Sequence, residues 1–242
     1  IIKKYINDLH GVATLEFKFQ ADLAKSIKEK ALFVTKYRLS NLLDRKVFEN
    51  ANGFIFASQA MENFYKSQYP SVALKNNKIL PYLLSSGACR EKSIDNDLIS
   101  SLKENYSIKP EEKIILFAGA FKKTGGVPDL IAAFSKSNEK YPLSRLFLIG
   151  DGPTMQECLN LVEKLQLQEK IIFIGRTPYH ELSSYQELSD IIVCPDKQNI
   201  YSELIIHVKY LDALISNKVV INGSFKSVQE INENERLSLS FQ

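Results

Sequence analysis

The sequence predicts an α/β protein built on parallel sheets, and three observations carry that prediction. Short, near-continuous apolar runs recur, namely KIILFAG, RLFLIG, KIIFIG, DIIVCP and KVVIN; strands covered on both faces have this composition. Each run but the last precedes a helix-length stretch of mixed polarity, and such alternation implies right-handed crossovers between parallel strands. Four of the runs close on Gly119, Gly150, Gly175 and Pro195, which marks strand ends, where ligands of such sheets gather.

In chain order, residues 20–50 lack Pro and Gly and predict a helix with Leu23, Ile27, Leu32, Leu42 and Leu43 facing inward. NGFIFAS then gives a turn and a strand over 54–57, with Ser58 as the cap of a helix over 59–68. NNKILPY predicts a strand ended by Pro81. The polar stretch 85–111 holds one short helix, about 97–106, with Asp97 as its cap, and supplies the boundary between a domain of residues 1–88 and one of 89–242. The alternating part predicts helices over 127–138, 154–166, 180–188 and 203–216 between the strands.

Composition excludes several function classes. The chain has 242 residues, 45% of them hydrophobic, enough for a substantial core. No apolar run approaches the roughly 20 residues of a membrane span. The start, Ile1-Ile2-Lys3-Lys4-Tyr5, has no initiator Met and no signal-peptide core, which predicts the middle of a longer chain. Cys89, Cys158 and Cys194 have no CxxC spacing, and His10, His180 and His207 are scattered; neither a disulfide framework nor a metal site is expected. Residues 1–90 carry fourteen Lys and Arg against seven Asp and Glu. That excess suits an anionic surface or a plain solvated helix face. No arginine-rich or aromatic-interleaved nucleic-acid surface is present.

Five segments concentrate polar chemistry. GAFKKTGG (119–126) ends a strand and opens a helix, where Gly119, Gly125 and Gly126 allow close backbone approach to a phosphate and Lys122 and Lys123 add charge. A plain strand–helix turn fits equally, and no Lys-Ser/Thr completes a Walker A loop. IGDGP (149–153) places Gly150 in a tight turn. SIDND holds Asp95 and Asp97 in a linker, where capping is the simplest role. ELIIHVKYLDAL puts Glu203 at an expected helix start, with Lys209 and Asp212 three apart on one face. That pattern serves a ligand grip or a surface ion pair with a favourable end charge. NDLHGVATLEF gathers Asp8, His10, Gly11 and Glu16 in a short loop.

Together these segments resemble the retaining, nucleotide-sugar-dependent glycosyltransferases of family 4. DLHGVATLEF, VFENANGFIFASQAMENFY, ILFAGAFKKTGGVPDLIAAF, LFLIGDGPTMQECL, IIFIGRTPYHELSSYQELSDIIVCP and HVKYLDALISNKVVINGSF follow in the family's order. The resemblance implies the GT-B fold, two Rossmann-like domains facing a cleft. Residues 1–88 would be the later part of the acceptor-side domain, incomplete here, and 89–242 the nucleotide-sugar-binding domain without its last helices. It implies a donor sugar contact for Glu203, a ribose contact for Asp212 and a contact across the cleft for His10. A carboxylate can accept from two neighbouring ribose hydroxyls, which makes the ribose role chemically sensible.

The family's acids are two Glu with seven residues between; here Glu203 and Asp212 have eight. The family's Arg and Lys in the phosphate loop are replaced by Ala120 and Gly125. Diphosphate charge then falls to Lys122, Lys123, Lys209, Arg176 or the N–H groups of Gly125 and Gly126. The expected activity is transfer of a sugar from a nucleoside diphosphate sugar, with retention, to a glycan, lipid-linked or protein-linked acceptor, without metal or other cofactor. The expected location is the cytoplasm, with peripheral contact to the inner membrane face through the basic first part. A nucleotide-sugar epimerase on the same fold and a non-catalytic glycan-binding scaffold are the alternatives.

Overall fold

The computed structural model describes residues 4–81 and 94–241. The chain divides into two compact units: residues 1–83, 198–207 and 224–233 form one, and 84–197, 208–223 and 234–242 the other. The expected boundary at 88–89 lies outside the described residues, as does Cys89. No local pattern marks 198–207 and 224–233 as parts of the first unit.

In the first unit, β1 (Ile6–Leu9), β2 (Gly53–Phe56) and β3 (Asn76–Ile79) form a parallel sheet in that order. The β1–β2 crossover is α1 (Ala13–Asp22) and α2 (Ile27–Asn50), and the next is α3 (Gln59–Gln68) with one 3-10 helix (Pro70–Leu74). The single helix expected over 20–50 is split because Ser26 caps α2, accepting from the Glu29 N–H at 3.1 Å. Ser58 caps α3 in the same way, at 3.0 Å from the Met61 N–H. The core is aromatic. Phe48 is fully buried, with ring centroids 4.9 Å from Phe54, 4.3 Å from Tyr65 and 4.6 Å from Tyr69.

This packing overturns the face expected for α2. Ile27, Leu32, Leu42 and Leu43 are exposed, and Leu23 is half-buried. The inward face is Phe33, Val34, Tyr37, Val47 and Phe48. The helix is apolar on two sides, so spacing alone could not choose, and the side with the larger aromatic area wins.

The second unit holds α4 (Asn96–Asn105), β4 (Lys113–Ala118), α5 (Val127–Lys140), β5 (Ser144–Ile149), α6 (Met155–Lys164), β6 (Ile171–Gly175), α7 (Leu182–Leu188), β7 (Ile191–Cys194), α8 (Val208–Leu214), β8 (Val219–Gly223) and β9 (Leu239–Phe241). The cap of α4 is Asp95, accepting from the Leu98 N–H at 3.0 Å; Asp97 lies inside the first turn. The sheet order is β6-β5-β4-β7-β8-β9, parallel throughout its described pairs. The chain runs outward from β4 through β5 and β6, then returns to lay β7 on the other side of β4. The order therefore reverses between β4 and β7, the point at which open α/β sheets place their ligands.

The helix expected over 203–216 begins only at Val208. Leu204 and Ile205 instead enter the first unit's core. The Leu204 carbonyl accepts from the Ser58 hydroxyl at 2.6 Å, and the Ile205 carbonyl from the Ser227 hydroxyl at 2.7 Å. Buried carbonyls satisfied by side chains have no need of a helix.

Candidate functional site

A cavity of about 470 Å³ opens at the carboxyl ends of β4, β5 and β7 in the second unit. Its floor is apolar, from Leu116, Ala118, Ile149, Ile192 and Val193. Cys194 also faces it, and burial pushes that thiol up to about 12, so it stays protonated. The polar wall is Asp151, Arg176, Tyr179, Gln186, Lys209 and Asp212.

Five of the expected donor-binding residues, Gly119, Gly150, Arg176, Lys209 and Asp212, line this cavity. Gly150 has φ +123°, and a Cβ there would lie 1.9 Å from the Gly119 carbonyl oxygen. Its N–H bonds the Gly175 carbonyl at 2.8 Å, and the Gly119 N–H bonds that of Ile149 at 3.0 Å. The glycines thus let the ends of β4, β5 and β6 close on one another.

Lys122, Lys123, Gly125 and Gly126 do not line the cavity. Their loop is occupied with its own fold. The Gly125 N–H donates to the Lys122 carbonyl at 2.9 Å. Gly126, with φ +64°, sits so close to Pro195 that a Cβ would lie 1.7 Å from the Pro195 oxygen. The Lys197 N–H bonds the Thr124 carbonyl at 2.9 Å, tying this loop to the segment after β7.

The cavity's charges come largely in pairs. Lys209, on α8, meets Asp196 at 2.7 Å and lies 5.4 Å from the Phe117 ring centroid. The Lys209 and Asp196 side chains are 20% and 6% exposed, and the second Asp196 oxygen is buried with no hydrogen-bond partner among the described residues. Arg176 lies 3.5 Å from Asp151, both largely in solvent. The carboxylate of Asp212, itself buried, accepts from the Tyr179 hydroxyl at 2.8 Å. Burial of that hydroxyl, then the Asp212 carboxylate, push the phenol up to about 12. Sequence reasoning missed Asp196 and Tyr179. Asp196 follows the strand-ending Pro195, and that position is a signal in itself; Tyr179 and Asp212 are 33 residues apart, and their pairing carries no local signal.

Glu203 and His10 belong to the first unit. Glu203 lies before α8 rather than at its start. Its carboxylate accepts from the Gln198 amide at 2.7 Å and from the Lys226 N–H at 2.9 Å, at the beginning of α9 (Lys226–Gln229). His10 follows the carboxyl end of β1, with Nε2 2.9 Å from Asp8 Oδ2, both side chains about half exposed.

A stretch of 78 residues is 33% identical to N-acetyl-alpha-D-glucosaminyl L-malate synthase of Bacillus anthracis, covering 32% of this chain and 20% of that protein. Another, of 115 residues, is 24% identical to alpha-monoglucosyldiacylglycerol synthase of Acholeplasma laidlawii, covering 48% and 29%. The crystal structure of Anabaena HepE in complex with UDP and glucose superposes with a TM-score of 0.71 at 15% identity, over 99% of this chain and 58% of that one. The chain thus spans little more than half the length of that neighbour, and its matches reach less than a third of these two curated relatives. The fold is GT-B. Residues 99–236, more than half of the sequence, match the family of glycosyl transferases group 1, and the chain belongs to that family.

Proposed function

We propose that the protein moves a sugar from a nucleoside diphosphate sugar to a glycan or glycoconjugate acceptor with retention of configuration. The observation that carries this reading is the cavity at the sheet's switch point, with the Asp212 carboxylate in its wall. Asp212 would take the ribose hydroxyls. Lys209 and Arg176, both in the cavity lining, would face the diphosphate. The bond from the anomeric carbon to the diphosphate oxygen breaks, the bond to the acceptor oxygen forms on the same face, and the acceptor proton passes to the departing diphosphate. Charge developing on that leaving group is what fixed cations stabilise best, and no metal is needed for it. Glu203 and His10 are assigned to the sugar by family resemblance alone.

A second reading has its own support. Lys209 and Arg176 each already face a carboxylate, so a diphosphate must loosen those pairs before it gains their charge. A scaffold that binds a nucleoside or glycan without turnover would tolerate that arrangement. Incubating the protein with a panel of nucleotide sugars, with and without glycan and glycolipid acceptors, separates the readings. Nucleotide release that depends on acceptor supports transfer; conversion of the sugar nucleotide without acceptor supports an epimerase. Binding without turnover supports the scaffold, and neither binding nor release across the panel removes the enzyme reading.

We also infer that the outward face of α2 contacts an anionic lipid surface. Leu32, Leu39, Leu42 and Leu43 are exposed there, among Lys28, Lys36, Arg38, Arg45 and Lys46. Apolar side chains interleaved with cations on one helix face suit an interface between headgroups and acyl chains. No helix among the described residues is long and apolar enough to cross a membrane.

A further inference from the structure

We propose that Tyr179 is a positioning residue that presets the Asp212 carboxylate to receive a vicinal diol, so that the cavity selects ribonucleotides over 2′-deoxyribonucleotides. The inference rests on the nucleotide-sugar reading of this cavity and adds a residue and a selectivity to it.

The geometry is specific. Tyr179 opens a 3-10 turn after β6, and Pro178 before it has φ −58°, a dihedral its ring enforces. The turn brings the phenol to Asp212 Oδ1 at 2.8 Å. From α7, the Gln186 side-chain amide donates to the Asp212 main-chain carbonyl at 3.2 Å, which anchors α8 at the same residue. Asp212 is thus held through both its backbone and its side chain, by two residues of the cavity wall.

A carboxylate's terminal torsion is broad and roughly two-fold. In solution such a plane samples many orientations, and a diol bridging both oxygens would have to order it. A carboxylate offers about four lone-pair positions. The phenol uses one of them on Oδ1, which is compatible with hydroxyls at others, and it sets the plane in advance. The Tyr179 residue is 66% exposed, so little apolar burial holds the ring over the cavity, and the hydrogen bond is its principal anchor. Because the phenol is pushed up to about 12, it remains a donor throughout the neutral and moderately alkaline range.

Losing the phenol removes preorganisation from the diol contact alone, while a 2′-deoxyribose, with one hydroxyl left on that edge, has little to lose. Calorimetric titration with UDP, GDP and ADP, each beside its 2′-deoxy counterpart, tests this. The unmodified protein should bind at least one ribonucleotide about tenfold tighter than the deoxy form, as expected when a hydrogen bond to a charged group is lost. Tyr179→Phe should lower that ratio by weakening the ribonucleotide, at a cost of no more than a few degrees in melting temperature, that of one hydrogen bond to a buried carboxylate. Asp212→Asn, an independent variant, should erase the preference as well. An unchanged ratio in Tyr179→Phe, or equal weakening of both forms, would overturn the positioning role and leave the nucleotide reading standing. So would an unmodified protein that binds ribo and deoxy forms alike. An unmodified protein that binds none of the six overturns the nucleotide reading, and the proposal with it.

Discussion

Glu203 and Asp212 are two acids that the same family resemblance singles out, and their surroundings differ in kind. Glu203, in the first unit, is engaged by a side-chain amide and by the Lys226 N–H, while its own carbonyl accepts the Ser227 N–H at 3.1 Å. Its polar atoms hold the start of α9. Asp212, in the second unit, is engaged by a phenol in the wall of an open cavity. A carboxylate bonded to backbone maintains a chain path; one bonded to an exposed side chain beside open volume can exchange or share that bond with a ligand. The contrast extends to the units: the second has close backbone approaches at Gly126, Gly150 and Gly152 and paired charges at its strand ends, whereas the first has one such approach, at Gly53, and concentrates aromatic packing.

Glycines offer the strongest way to sharpen that contrast. In the second unit, Gly150→Ala would put a methyl group 1.9 Å from a backbone oxygen at φ +123°. Strands β4 and β5 would have to part, so the variant should lose about 3 kcal/mol or more, roughly 6–12 °C in melting temperature. Gly11, in the loop after β1, has open space where a Cβ would stand, with nothing within 4 Å, and no positive φ. Gly11→Ala should stay within about 0.5 kcal/mol. Similar melting of the two variants would break the comparison.

Next in size is the Lys209–Asp196 pair. Lys209→Ala strands a carboxylate that is already buried and already short of one partner. Removing one member of such a pair costs about 3 kcal/mol. Lys209→Ala/Asp196→Ala should cost less than the single variant, because the unpaired charge goes too. Denaturant titration of the set measures this, and a double variant that loses the sum of both singles would show that the residues act independently. The same Lys209→Ala protein reports on phosphate: if Lys209 reaches the diphosphate, it weakens UDP more than uridine.

How much of this was legible follows from range. Strands β4 to β8 of the second unit were, because a buried parallel strand is apolar throughout and Gly or Pro ends it, and RLFLIG lies within one residue of β5; the short β9, half exposed, was not. The reversal of strand order was not, since nothing local says on which side of β4 the chain returns. Leu204-Ile205 has the composition of a helix interior, and it is drawn into the first unit's core by residues far earlier in the chain, Ser58 among them, 146 positions before Leu204. Of the cavity, Gly119, Gly150, Arg176, Lys209 and Asp212 were found through strand ends and resemblance, while Tyr179 is known only from the partner the fold gives it.

Glu203 gives a smaller effect. Glu203→Ala removes an acceptor from the Lys226 N–H at a half-buried site and should cost about 1–2 kcal/mol. Glu203→Gln keeps one carbonyl oxygen and should cost less. Asp212→Asn should melt near the unmodified protein yet lose ribose affinity, so thermal scans beside nucleotide titrations place each acid. If Glu203→Gln kept its melting temperature but lost tenfold or more in turnover, its assignment to the sugar would gain direct support, and the contrast between the two acids would narrow.

The smallest effect on stability, and the one that reaches beyond both acids, concerns α2. Leu39 and Leu43 lie one turn apart on its exposed side. Exchanging both for Ser removes apolar area that is already in water, so stability should move by no more than about 0.5 kcal/mol per site. Core residues of the same helix behave differently: Phe48, stacked on three aromatic rings, should cost about 3–5 kcal/mol as Ala. Against vesicles the order reverses. If the outward face meets anionic lipid, the double Ser variant should lose sedimentation with vesicles rich in phosphatidylglycerol. Exchanging Lys36 and Arg38 for Gln should weaken it by about 1 kcal/mol per charge, with the salt dependence of a screened contact. Equal sedimentation with neutral phosphatidylcholine vesicles would mean that the cations play no part. A concentration-dependent dimer lost in the Ser variant would assign the leucines to a second copy of the chain instead.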